Sequence, residues 1–126
     1  MKRTRCFITF LLLSVLVFSV QGSVIKVLAV GNSFSENAIE QNLYQLAETN
    51  GDTLIIGNMF IPGCTINRHW KCAQSEEVAY QYRKVVNGKK ANTSDKSMLE
   101  CVRDEAWDYI SFQQGSYDSG NYATYT

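Results

Sequence analysis

VIKVLAVGNSFSE, residues Val24 to Glu36, is the stretch whose reading decides the fold. Its apolar run, broken by Lys26, ends abruptly in Gly31-Asn32-Ser33, and a helix-like pattern follows. Such a run is that of a strand covered on both faces in a parallel sheet. Strand, tight turn and helix together set Ser33 at the carboxyl end of one element and the amino end of the next. Backbone N–H groups without partners at a helix start stabilise a developing negative charge, which makes Ser33 a candidate nucleophile. A plainer reading stands beside it: Ser33 and Glu36 fit the S-x-x-E capping box, in which the serine only caps the helix.

Working outward, Ile39, Leu43, Leu46 and Ala47 recur at helical spacing, and Asn50-Gly51 supplies a stop. Thr53 to Ile61 is predicted as a second strand, with a bulge or bend at Gly57-Asn58, ended by Pro62-Gly63. Residues 64–70 show no period and are expected as a loop. Ser75 to Val86 is predicted as a helix with Ser75 as N-cap and Gly88 just past its end. Residues 87–96 are polar and expected as a loop, and Ser97 with Glu100 forms a capping box opening a short helix through about residue 105. Trp107 to Phe112 is the third predicted strand, followed by Gln113-Gln114-Gly115-Ser116. The predicted fold class is α/β, a three-layer sandwich with a parallel sheet of three strands joined by right-handed crossovers. Three loops then converge at the strand ends, the expected ligand crevice: Gly31-Asn32-Ser33, Pro62-Gly63-Cys64 and Gln113-Gln114-Gly115.

The chain has 126 residues, enough for one domain, with a globular composition of 45% hydrophobic residues. Lys2, Arg3 and Arg5 precede an apolar run from Phe7 to Val20, and Val20-Gln21-Gly22 suits a cleavage site, so residues 1–22 are expected to be a secretory signal peptide and residues 23–126 the folded part. The apolar run is short against the roughly 20 residues of a spanning helix, so no stable membrane insertion is expected after cleavage. Cleavage removes three of the twelve basic residues and none of the twelve acidic ones, leaving nine against twelve, or −3. That balance argues against a nucleic-acid partner. Cys64, Cys72 and Cys101 remain, an odd count that fits no disulfide framework. With no C-x-x-C and a single histidine, no metal site is expected.

Other side chains at the crevice divide in the same way between chemistry and plain structure. Gly63 presents its N–H at close range for want of a side chain, and Gln113 or Gln114 offers an amide donor; the plain readings are a turn glycine and solvated amides. His69 is the only imidazole in the chain. It is either a base for Ser33 or a loop histidine packed beside Trp70, which in turn either lines a cleft or covers the core. Asp108 falls at the far end of the third strand, and Asp118 on the site side.

Val30-Gly31-Asn32-Ser33-Phe34-Ser35 resembles the first block of the SGNH (GDSL-like) hydrolases, and the whole run from Val24 to Thr126 resembles the bacterial DUF4886 branch of that superfamily. The stretches from Ile61 to Trp70 and from Trp107 to Ser116 resemble that branch's second and third blocks. The resemblance implies an SGNH/flavodoxin-like sandwich, an exported serine ester hydrolase acting on a small-molecule or carbohydrate acyl ester, and no cofactor. It implies Ser33 as nucleophile and oxyanion donor, Gly63 as a second donor, and Gln114, or Gln113, where typical members carry an asparagine. Asn32, His69, Trp70 and Gln113 become the substrate-side candidates.

The family's closing D-x-x-H block is not among these residues, and its sheet has about five parallel strands. The expectation is therefore an N-terminal portion, incomplete in its sheet and inactive without its base. The second expectation is a non-catalytic secreted module, periplasmic or extracellular, that binds a glycan or a partner in the same crevice. The sequence fixes no oligomeric state.

Overall fold

Residues 80–96, expected as helix and loop, form two strands, and this overturns the predicted fold class. The computed structural model describes residues 22–125, so the expected signal peptide lies outside the described residues except for Gly22. Five strands are present: β1 (Val24–Gly31), β2 (Thr53–Phe60), β3 (Tyr80–Val86), β4 (Lys89–Lys96) and β5 (Tyr109–Phe112). Their order across the sheet is β4-β3-β2-β1-β5. β1 runs parallel to β2 and β5, whereas β2·β3 and β3·β4 are antiparallel, so the sheet is five-stranded and mixed, not an incomplete parallel sheet of three.

The deciding signal is at Gly88. Expected just past a helix end, it instead forms a two-residue hairpin turn with Asn87, both residues at positive φ (49° and 70°), the backbone that matches the twist of paired strands. The polar run beyond it is β4, an exposed edge whose lysines and Asp95 suit a strand left open to solvent.

Helix begins directly after β1. α1 (Ser33–Ser35) passes into a π-helical stretch (Glu36–Leu43) and then α2 (Tyr44–Thr49). α3 (Ile66–Ser75) occupies the segment expected as a loop; Thr65 caps it by accepting from Arg68 N at 3.2 Å, and Glu76 ends it in the left-handed region at φ 52°. Its only buried side chains are His69 and Cys72, too few to show a period. α4 (Met98–Arg103) opens on the expected capping box, Glu100 N to Ser97 Oγ and Ser97 N to Glu100 Oε2.

Alternation along the strands builds a core on each face of the sheet. Leu28, Val30, Met59 and Tyr82 face one way, with Cys72 and Cys101 from α3 and α4 and with Trp107. Leu54, Ile56 and Val85 face the other, against Ile39, Leu43, Tyr44 and Ala47. The β1·β2 register is unbroken from Val24↔Thr53 to Gly31↔Phe60, so Gly57-Asn58 is no bulge. Gly57 is glycine because the Trp107 ring crosses it: a Cβ there would lie 2.7 Å from Trp107 Cη2 and 2.9 Å from Leu28 Cδ1. At the other edge β5 is uncovered among the described residues, with Tyr109, Ile110 and Phe112 exposed.

Candidate active site

The loops after β1, β2 and β5 are drawn together by one buried side chain. Asn32 donates from Nδ2 to Cys64 O (3.1 Å) and to Gln114 O (3.2 Å), while its Oδ1 accepts from Phe34 N (3.1 Å). Asn32 is therefore the N-cap of α1, and both ends of its amide are bonded to backbone inside the junction. Backbone bonds from Ile61 N to Gly31 O and from Gln113 N to Val30 O extend the same junction. Gly115 fits close against Thr65 and the carbonyls of Gly63 and Cys64; a Cβ there would meet them at 2.9 to 3.3 Å.

Because Asn32 takes the capping role, Ser33 stands one residue inside the helix, exposed, and its hydroxyl bonds to no described residue. Glu36 makes no capping box with it and pairs instead with Arg83 at 3.1 Å. Gly63 is exposed at φ 62°, with open space where a Cβ would stand. Neither its N–H nor that of Ser33 donates to a described residue.

The two glutamines behave differently. Gln114 is buried and fully engaged: Oε1 accepts from Ile66 N (2.8 Å) and Gly115 N (3.0 Å), and Nε2 donates to Thr124 O and Oγ1. Gln113 is half-buried beside Gly31; its Oε1 has no hydrogen-bond partner among the described residues, and its amide nitrogen donates to none of them.

His69 is not on a loop. It lies buried on the inner side of α3, its ring stacked on Tyr80 at 5.7 Å, with Nδ1 3.0 Å from Tyr80 Oη. Burial, with the neighbouring Arg68 guanidinium, lowers its pKa to about 4. Burial raises that of Tyr80, so the phenol keeps its proton and donates to Nδ1. The Nε2–H is then buried without a partner among the described residues, and the imidazole is oriented by the core, not by Ser33.

Trp70, by contrast, is exposed and lines a cleft of about 580 Å³ with Ile66 and Asn67 of α3 and Asp118, Thr124 and Tyr125 from the end of the described chain. Asp108 sits at the opposite end of the strands, bound to the backbone of Lys26. Cys64, Cys72 and Cys101, the cysteines among the described residues, are buried free thiols; burial pushes Cys64 up to about 11 and Cys101 to about 12. No group of His, Cys, Asp or Glu suited to a metal ion occurs among the described residues.

One feature behind the turn escaped the sequence reading. Ser35 Oγ lies 2.7 Å from Asn32 O and 3.0 Å from Asn58 Oδ1, Asn58 Nδ2 donates to Glu40 at 2.5 Å, and Glu40 also pairs with Arg83 and Lys90. This buried polar chain runs from the Ser33 turn across the sheet to β4. Its one sign in the sequence is Asn58, polar among apolar neighbours in β2, where Gly57-Asn58 suggests a bulge or bend instead.

Comparison with known proteins gives one family and one solved structure. The family model described as a domain of unknown function, DUF4886, matches residues 26–126. No curated protein matches the chain. The crystal structure of a DUF4886 family protein from Bacteroides uniformis is 50% identical, with a TM-score of 0.78 over 81% of this chain and 40% of that one. The chain thus spans about two fifths of that relative's length.

Proposed function

The chain belongs to the DUF4886 family, and we propose that it carries the nucleophile of an exported serine ester hydrolase of SGNH type, acting on an acyl ester of a carbohydrate. The observation that carries this reading is the state of Ser33: exposed, with a free hydroxyl, at the first position of a helix whose cap is supplied by Asn32. A serine kept only for capping would occupy the cap.

In this reading Ser33 Oγ attacks the ester carbonyl and its proton passes to a general base. The carbonyl oxygen, now an oxyanion, is held by the N–H groups of Ser33 and Gly63. Gln113 is the third donor, since the amide of Gln114 is already spent on Thr124. The alcohol leaves with the proton, and water, deprotonated by the same base, releases the acid from Ser33. His69 is not that base, being buried and held by Tyr80. The reading assigns the base to the part of the family's length that these residues do not span. Export rests on the basic and apolar character of residues 1–22.

The test is hydrolysis of p-nitrophenyl acetate, with fluorophosphonate labelling, by the product of the complete reading frame. Ser33→Ala abolishes labelling and lowers kcat/KM at least ~100-fold, as expected of a lost nucleophile. Turnover unaffected by Ser33→Ala sinks the proposal. The second reading, a non-catalytic binding module, is favoured by the neutral, buried state of His69; absence of both labelling and turnover in the complete product selects it.

A further inference from the structure

The cleft beside Trp70 is built for a neutral polyhydroxylated ring, and we infer that it is a saccharide-binding subsite which seats the sugar of the proposed ester. Its volume of about 580 Å³ lies in the range of small-ligand pockets. Trp70 is 62% exposed and leaves most of its surface open to the cleft. The same cleft is lined by the carboxamide of Asn67, one turn before Trp70 on α3, and by the carboxyl group of Asp118, neither hydrogen-bonded by its side chain to a described residue.

These groups define the ligand's chemistry. A π face, negative at its centre, takes the C–H face of a pyranose. A carboxylate accepts from two adjacent hydroxyls, and an amide both donates and accepts. Among the described residues no lysine or arginine lines the cleft, so a phosphate or carboxylate ligand would meet Asp118 without a compensating cation from them. The wall is also firm: Gln114 holds Ile66 N at 2.8 Å and Thr124 Oγ1 at 3.0 Å, fixing α3 against the end of the described chain.

Gln114 also ties the cleft to the Ser33 turn, because its backbone carbonyl accepts from Asn32 Nδ2 at 3.2 Å. One residue thus anchors both the candidate nucleophile's loop and the cleft wall. That the bound sugar presents its acyl group to Ser33 rests on the hydrolase reading above; that the cleft binds a sugar does not.

The experiment uses the Ser33→Ala protein, so that binding is measured without turnover. It is titrated with cellobiose, xylobiose and di-N-acetylchitobiose by saturation-transfer NMR and intrinsic tryptophan fluorescence. At least one disaccharide is expected to bind saturably. Trp70→Ala and Asp118→Asn, checked by thermal melts for an unchanged fold, each weaken it at least tenfold, whereas Trp107→Phe, whose indole donates to Cys101 O within the core face, leaves affinity unchanged. Failure of all three sugars to bind, or binding indifferent to both Trp70→Ala and Asp118→Asn, overturns the inference. Because the unmodified protein's hydrolysis of p-nitrophenyl acetate is scored separately, loss of the subsite and loss of the hydrolase reading give different results.

Discussion

Asn32 spends each of its polar groups on backbone from a different part of the chain, while buried to 1% exposure. Removing it leaves carbonyls of Cys64 and Gln114 unsatisfied inside the junction. Asn32→Ala should therefore cost about 2–4 kcal/mol in urea denaturation, more than an ordinary helix cap. His69 makes a second prediction, through pH. Its folded pKa, about 4, lies below the ordinary 6.5, so between those values the unfolded chain binds the extra proton. Stability contributed by the neutral imidazole is intact above pH 6.5 and falls as pH drops through that window, by about 2–3 kcal/mol. Denaturation at pH 7.5 and 4.5 checks this: the part of the drop that disappears in His69→Gln belongs to this residue, and an unchanged drop refutes the assignment. Neither role was legible beforehand, because both depend on partners far along the chain, Gln114 for one and Tyr80 for the other.

Among the elements, those with a run of apolar residues were readable and those that lean on a neighbour were not. β1 and β2 are buried through their carboxyl halves and announced themselves. The capping box at Ser97 and Glu100 is local chemistry and stands as read. β3 is half polar because Arg83 and Lys84 find acidic partners across the layers, Glu36 and Glu40 for one and Asp104 and Glu105 for the other. Its pattern therefore mimicked an amphipathic helix. Asn-Gly fits a helix end as well as a hairpin, and only pairing with β2 decides between them. Gly88→Ala tests the hairpin directly. It places a Cβ at φ 70° and 3.2 Å from the Tyr44 ring, at a cost of about 1–2 kcal/mol measured by thermal or urea melts. A neutral result would argue against that turn.

At the scale of the whole molecule, the two parallel partners of β1 carry the crevice, and the β3–β4 hairpin extends the sheet away from it. The converging loops were visible in the sequence because each follows directly on an apolar run. The predicted three-strand sheet failed because the hairpin lies outside that logic. Exposure of Tyr109, Ile110 and Phe112 on the β5 edge has a colloidal consequence. Self-association measured by sedimentation velocity should rise with concentration, and Ile110→Lys should reduce it while leaving the melting temperature within a few degrees, roughly. Association unaffected by that charge would place the contact elsewhere.

The Asn32 bond to Gln114 also carries a timetable. Its partners are 82 residues apart, and a ribosome adding about 5–20 residues per second needs roughly 4–16 s to pass from one to the other. Throughout that interval the serine turn has left the ribosome, or is leaving it, without the loop that locks it in shape. A nascent chain would therefore carry an unassembled junction behind Ser33, which closes only after synthesis has passed β5 and delivered Gln114.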